Sequence, residues 1–167
     1  MIPNDELWIA NDHGGYKLKL SIIKFLEEKS IPFKNLGCDS EEIVRYPYYA
    51  ATVAQAVSQN IIKRGVLICS TGIGMSIAAN KFSGVRASLC TGTYMAKMTR
   101  LHNDSNILCL GGRITGDFEA VDIFETWLNT DFEGGRHTVS LGLLDELERI
   151  ICNPGGWNSD FLNNKRK

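Results

Sequence analysis

Residues 69–76 read CSTGIGMS and follow the apolar run GVLI. A thiol, three hydroxyls and two glycines therefore stand where a strand gives way to a helix. A structural connection needs only one glycine and one cap, so the surplus points to chemistry. Gly72 and Gly74 let backbone N–H groups turn inward, and the following helix adds the positive end of its dipole. Such a cavity takes an anion, either a phosphate or an oxyanion formed during reaction. The stretch lacks the lysine of a phosphate-binding loop and the third glycine of a dinucleotide fingerprint, so neither nucleotide reading is supported. A helix N-terminus favours the thiolate form of a neighbouring cysteine. Cys69 could attack an electrophilic carbon with a histidine as partner. It could instead remove a proton beside a carbonyl, with Thr71 and the Gly72–Met75 amides donating to the developing oxygen charge. Spacing alone leaves both open, and leaves open a tight turn with a core thiol.

The elements that must position these residues alternate between strand-length apolar runs and helix-period segments. LWIA predicts a first strand, and 16–29 a helix with Leu18, Ile22, Phe25 and Leu26 on one face. IPFKNLG supplies a short second strand, and YPYYAATVAQAVSQN a helix with Pro47 in its first turn. GVLIC, MSIAANKF, VRASLC, TYMAKMTRL, NILCL and DFEAVDIFETWLN continue the alternation. Residues 138–151 read as a final helix with Leu141, Leu144, Leu147 and Ile151 on one face. Repeated β-α units predict a parallel sheet covered by helices on both faces. The expected division is one α/β domain over 1–152 and a C-terminal extension over 153–167, anchored if Trp157 and Phe161 find an apolar groove.

Ligands of such sheets bind at the carboxyl ends of the strands. The polar residues assigned to that rim are 11–15 after strand one, 70–74 after strand three, and 111–113 after strand five. The loops carrying His102-Asn103-Asp104 and Gly134-Gly135-Arg136-His137 are assigned to it as well, so all three histidines gather in candidate site loops.

A formal net charge of −1 argues against a broad nucleic-acid footprint, though it leaves room for a local anion site. No stretch of about 18 apolar residues could span a bilayer, and the first residues do not read as a signal peptide. The five cysteines form no CxxC pair, which predicts free thiols in a reduced, cytoplasmic setting. Cys90 and Cys109, in or beside apolar runs, read as small core residues.

DHGG, YPYYA, GVLICSTGIGMSIAANK, GVRA, HNDSNILCLGGR and EGGRH occur in an order and spacing that resembles type B ribose-5-phosphate isomerases. That family also includes galactose-6-phosphate isomerase subunits. The resemblance runs from about Leu7 to Ile151. It implies a Rossmann-like, three-layer α/β/α fold whose five parallel strands lie in the order 2-1-3-5-4. It implies an aldose–ketose isomerase of a phosphorylated sugar, ribose 5-phosphate to ribulose 5-phosphate, working through a cis-enediolate without metal or cofactor. Cys69 would be the base that shuttles a proton between C1 and C2. Another subgroup uses a glutamate at the position held here by Met75. Thr71 and the Ser70, Gly72 and Gly74 loop would hold the enediolate, and Asp12 and His102 would serve substrate binding and ring opening. Asn103 matches a neighbouring substrate ligand, while His13, Arg113 and Arg136 match phosphate-binding positions. Tyr46 could stack on a sugar face. A homodimer is implied, with the final helix lying across the partner, and a tetramer remains open.

Two departures stand out. A second arginine expected about four residues after Arg136 is Ser140, and an aspartate often found before the YP pair is Arg45. Lys81 and Arg86 lie in matching motifs but read as scaffold, and His137 as a site neighbour or hinge. The competing readings are the same chemistry on galactose 6-phosphate, allose 6-phosphate or a tetrose phosphate, an anion-binding module without turnover, and a non-catalytic subunit of a hetero-oligomer.

Overall fold

In the computed structural model, which describes residues 6–152, three apolar runs become the central strands of a five-stranded parallel sheet. These are β1 (Leu7–Asn11), β3 (Gly65–Cys69) and β5 (Ile107–Gly111). Every residue in them is buried, as strands covered on both faces must be. The edge strands β2 (Phe33–Asn35) and β4 (Ala87–Leu89) have only three residues each, which limits unpaired backbone at the rims. The strand order is β2-β1-β3-β5-β4, with Ile9 beside Val66 and Val66 beside Leu108. This is the order that the resemblance implied.

Helices α1 (Tyr16–Glu28), α4 (Thr93–Asn103) and α5 (Asp117–Asn129) contribute to the core on one face, and α2 (Tyr46–Ser58) and α3 (Ile73–Ala79) to that on the other. The result is the expected three-layer, Rossmann-like α/β/α arrangement. Alternation along each strand sends Ile9, Val66, Ile68, Leu108 and Leu110 to the first face. It sends Trp8, Ala10, Leu67, Cys69 and Cys109 to the second. Cys69 thus ends its strand on the α2–α3 side.

Local chemistry sets the helix starts. The buried stripe of α1, Leu18, Ile22, Phe25 and Leu26, follows the spacing of one helix face. Pro47 occupies the first turn of α2, where its missing N–H is harmless. Gly72 lets α3 begin at Ile73, two residues before the expected MSIAANKF segment. At its far end α4 runs two residues past the expected TYMAKMTRL, so His102 and Asn103 form its last turn rather than a loop. Asp104, at φ 44°, terminates it, and Arg86 and Arg100 clamp that end through the Asp104 carboxylate at 3.0 and 2.7 Å.

The chain divides into two compact units, the first ending at Glu133 and the second beginning at Gly134. In the second unit, Gly134 and Gly135 both take positive φ and lead into α6 (Arg136–Ile151), which begins two residues before the expected start. Arg136 and His137 are therefore first-turn residues of a helix. No residue of α6 is buried, including the predicted stripe of Leu141, Leu144, Leu147 and Ile151. The expected extension with Trp157 and Phe161 lies outside the described residues. Among those residues, no helix is long and apolar enough to cross a membrane.

Candidate active site

The carboxyl ends of β1, β3 and β5 are knit together by backbone hydrogen bonds. Asp12 N–H donates to the Ile68 carbonyl at 3.1 Å, Gly112 N–H to Cys69 at 2.8 Å, and Arg113 N–H to Ser70 at 3.0 Å. Three loops thereby share one rim, and each expected residue of those loops lies on it.

At the centre is Cys69, 5% exposed. Gly72 has φ +76°, the left-handed region that strains any residue with a Cβ, and this turn aims its N–H at Cys69 Sγ from 3.1 Å. Thr71 Oγ1 accepts from the Ile73 N–H at 3.4 Å, leaving its own hydroxyl hydrogen available. Tyr46, in the first turn of α2, lays its ring against Gly74, with ring carbons 2.9 Å from where a side chain would begin. That contact accounts for glycine at position 74 and fixes Tyr46 at the edge of the rim. Met75 is fully buried and packs into the α2–α3 core.

On the neighbouring loop Asp12 is the N-cap of a 3-10 turn, His13–Gly15, and its Oδ1 accepts from the Gly14 N–H at 2.8 Å. This cap occupies one carboxylate oxygen. His13 is half-buried, with Nδ1 3.3 Å from the Val44 amide nitrogen. Arg113 is exposed just past β5.

Two expected rim residues are elsewhere. His102 and Asn103 close α4, and a helix that runs back from β4 toward the start of β5 must end at the amino edge of the sheet. Arg86, just before β4, donates from Nε to the Asn103 carbonyl at 2.9 Å, and Asn106 N–H donates to the Arg86 carbonyl at 3.2 Å. Within one chain these residues sit at the end of the sheet opposite to Cys69, which corrects the assignment of their loop to the carboxyl rim. His102 Nε2 lies 3.9 Å from Glu133 Oε2 there. Arg136 belongs to the second unit, where its Nε donates to His137 Nε2 at 3.4 Å.

Two core thiols are poor acids. Burial pushes Cys90 up to about 11, and burial together with the neighbouring Cys69 and Cys90 pushes Cys109 well above its ordinary value. Both remain neutral fillers at physiological pH, in keeping with their reading as core residues.

Two buried polar residues stand beside the rim: Asn11, which the sequence already places there among 11–15, and Lys19, which it does not. Asn11 is fully buried at the end of β1, and its Oδ1 has no partner, while its Nδ2 donates to the Asp12 carbonyl at 2.8 Å. Lys19 is fully buried on α1. Its signal was a lysine directly beside Leu18 and three residues before Ile22, on a face that should be apolar.

The ribose/galactose isomerase family model matches residues 7–144. A putative sugar phosphate isomerase of Bacillus subtilis (strain 168) is 45% identical over 141 residues, covering 84% of this chain and 95% of its own. Ribose-5-phosphate isomerase B of Escherichia coli (strain K12) is 42% identical over 138 residues, covering 83% and 93%. The solved ribose-5-phosphate isomerase B of Clostridium thermocellum superposes with a TM-score of 0.84 at 46% identity, covering 86% of this chain and 97% of that one. That of Mycoplasma genitalium, with bound ribulose 5-phosphate, gives 0.82 at 36% identity, covering 86% and 96%.

Proposed function

The chain belongs to the ribose/galactose isomerase family, and from that premise we propose that it interconverts ribose 5-phosphate and ribulose 5-phosphate with Cys69 as the base. It is an aldose–ketose isomerase of a sugar phosphate, and such a reaction moves one hydrogen from C2 to C1. In our reading the Cys69 thiolate removes the C2 proton of the open-chain aldose. The electron pair forms the C1–C2 double bond, and negative charge moves onto O1. The Thr71 hydroxyl and the amides of Gly74 and Met75, in the first turn of α3, are the donors we assign to that cis-enediolate. O1 gains a proton and O2 loses one as the cysteine returns its proton to C1, leaving a ketone at C2. The observation that carries this assignment is the Gly72 N–H held 3.1 Å from Sγ at the meeting point of three loops.

His13 and Arg113 border the same rim and are assigned to the phosphate, with Arg136 added from the family resemblance. Asp12 is assigned to ring opening together with His102. Because His102 and Asn103 close the opposite end of their own sheet, we infer that they serve the rim of a second copy of the chain. Tyr48, Ile73, Ile77 and Tyr94, exposed on helices that border the carboxyl rim, are the apolar surface such a copy would cover. The five free cysteines fit a reduced, cytoplasmic setting.

Ser140 and Arg45 favour a second reading, the same chemistry on another phosphorylated aldose, because the charge opposite the phosphate is rearranged. A panel of ribose, galactose, allose and tetrose phosphates, assayed for ketose formation by the purified chain, separates the two. On the best substrate Cys69→Ala should lower kcat by about 10²–10⁴-fold, the usual worth of a positioned base. Full turnover by that variant removes the cysteine mechanism, and no turnover by the unaltered chain on any of these sugars leaves only an anion-binding module or a partner-dependent subunit.

A further inference from the structure

Lys19 carries a charge that the reaction does not use, in a place where charges are rarely found. Its side chain is 1% exposed, and it ranks with Trp127 and Phe124 among the largest fully buried side chains. Burying an ammonium is expensive unless it is paired and hydrogen-bonded. An apolar side chain of similar length would fill the space without that penalty. What the ammonium does here is hold a loop. Nζ donates to the Cys38 carbonyl at 2.7 Å and to Asp39 Oδ1 at 3.1 Å, and lies 5.3 Å from the centre of the Tyr16 ring. Asn11 converges on the same point, its Nδ2 lying 3.4 Å from the Cys38 carbonyl oxygen and 3.3 Å from Cys38 Sγ.

The segment anchored in this way, 36–45, has no regular secondary structure. Its far end grips the active-site rim. The Val44 N–H donates to His13 Nδ1 at 3.3 Å, and the Val44 carbonyl oxygen is 3.2 Å from the same nitrogen. A backbone donor in a half-buried place must find an acceptor. The ring supplies one only when Nδ1 is unprotonated, so the neutral imidazole carries its hydrogen on Nε2. When the ring is protonated, Nδ1–H turns to the Val44 carbonyl and Nε2 still carries a hydrogen. In both states the ring keeps its orientation and offers a donor from Nε2.

We propose that Lys19 is a positioning residue for the substrate's phosphate. By fixing the Cys38 end of this strap it fixes the Val44 peptide, and so the His13 ring. This rests on the phosphate role assigned to His13 above.

Two measurements test it. In the ligand-free protein at pH 8, ¹⁵N spectra should report His13 as the Nε2–H tautomer, and in Lys19→Met as a mixture of both. With the best substrate of the panel, Lys19→Met should raise KM about tenfold, the net worth of one charge-assisted hydrogen bond, with kcat within about twofold. Val44→Pro removes the amide hydrogen without touching the buried ammonium and should reproduce both effects, which keeps the test open if Lys19→Met does not fold. A wild-type Nδ1–H tautomer overturns the proposal, as does an unchanged KM in either folded variant or a loss confined to kcat. His13→Ala separates the two levels: a raised KM there with an unaltered KM in Lys19→Met refutes the strap alone. An unaltered KM in His13→Ala removes the phosphate role itself.

Discussion

Replacing Gly72 by alanine should injure stability and turnover together, whereas the same change at Gly84 should injure stability alone. Both glycines are left-handed, at φ +76° and +71°. Alanine in that region costs roughly 1–2 kcal/mol. At Gly84 nothing lies within 4 Å of the added methyl, so that is the whole penalty. At Gly72 the methyl would fall 2.5 Å from Leu89 Cδ1 and 3.0 Å from the carbonyl carbon and oxygen of Leu110. The leucine tip can swing away, but the β5 backbone cannot, and overpacking adds about 1–3 kcal/mol. At about 2–4 °C per kcal/mol for a domain of this size, Gly84→Ala should lower Tm by about 2–8 °C and Gly72→Ala by about 4–20 °C. Displacing the Gly72 N–H also removes the hydrogen bond to Cys69 Sγ. A bond to a charged sulfur is worth about 1.5–3 kcal/mol, so kcat should fall by about 10–100-fold in Gly72→Ala and stay unchanged in Gly84→Ala. Scanning calorimetry and ketose formation on the same preparations read both quantities. Equal losses of Tm in the two variants, or a destabilised Gly72→Ala with undiminished kcat, would refute the reasoning.

A site built from two copies predicts complementation. Cys69→Ala and His102→Ala, each inactive alone, should recover about a quarter of wild-type activity after co-refolding, since half of randomly paired dimers then hold one intact site of two; no recovery would assign the whole site to one chain. The buried thiols predict alkaline sensitivity. Cys90 keeps its proton in the folded chain up to about 11 but loses it near 9.0 when unfolded, so the unfolded state binds fewer protons and stability falls as pH rises between these values. Urea midpoints at pH 8 and 10 should decline more steeply in wild type than in Cys90→Ala, and parallel slopes would count against it.

The parts of the fold legible in the sequence are those determined by strong local signals. GVLIC and the ILCL of NILCL are free of polar side chains because their strands are covered twice, and DFEAVDIFETWLN coincides with α5 at both ends. Pro47 marks the start of α2 to within a residue. The element ends that slipped are those decided by distant partners. Nothing within TYMAKMTRL announces that Arg86, before β4, will clamp Asp104 and carry the helix on to Asn103. Lys19 and Val44 were illegible as site residues for a related reason, since one acts through a backbone carbonyl and the other through its own peptide group.

The misplacement of His102 and Asn103 had a different origin, and topology alone could have prevented it. In a parallel sheet, every segment that leads into a strand lies at the amino edge, and every segment that leaves one lies at the carboxyl edge. A motif that runs straight into β5 therefore cannot share a rim with CSTGIG in the same chain, however closely the two resemble one family's pattern. Six motifs in the right order establish membership, but order along the chain carries no information about which end of the sheet each motif occupies. Once the strands are known to be parallel, the two halves of the motif set lie a full strand length apart. If His102 and Asn103 do serve the chemistry at Cys69, the second chain is a geometric requirement of the site rather than an accessory to it.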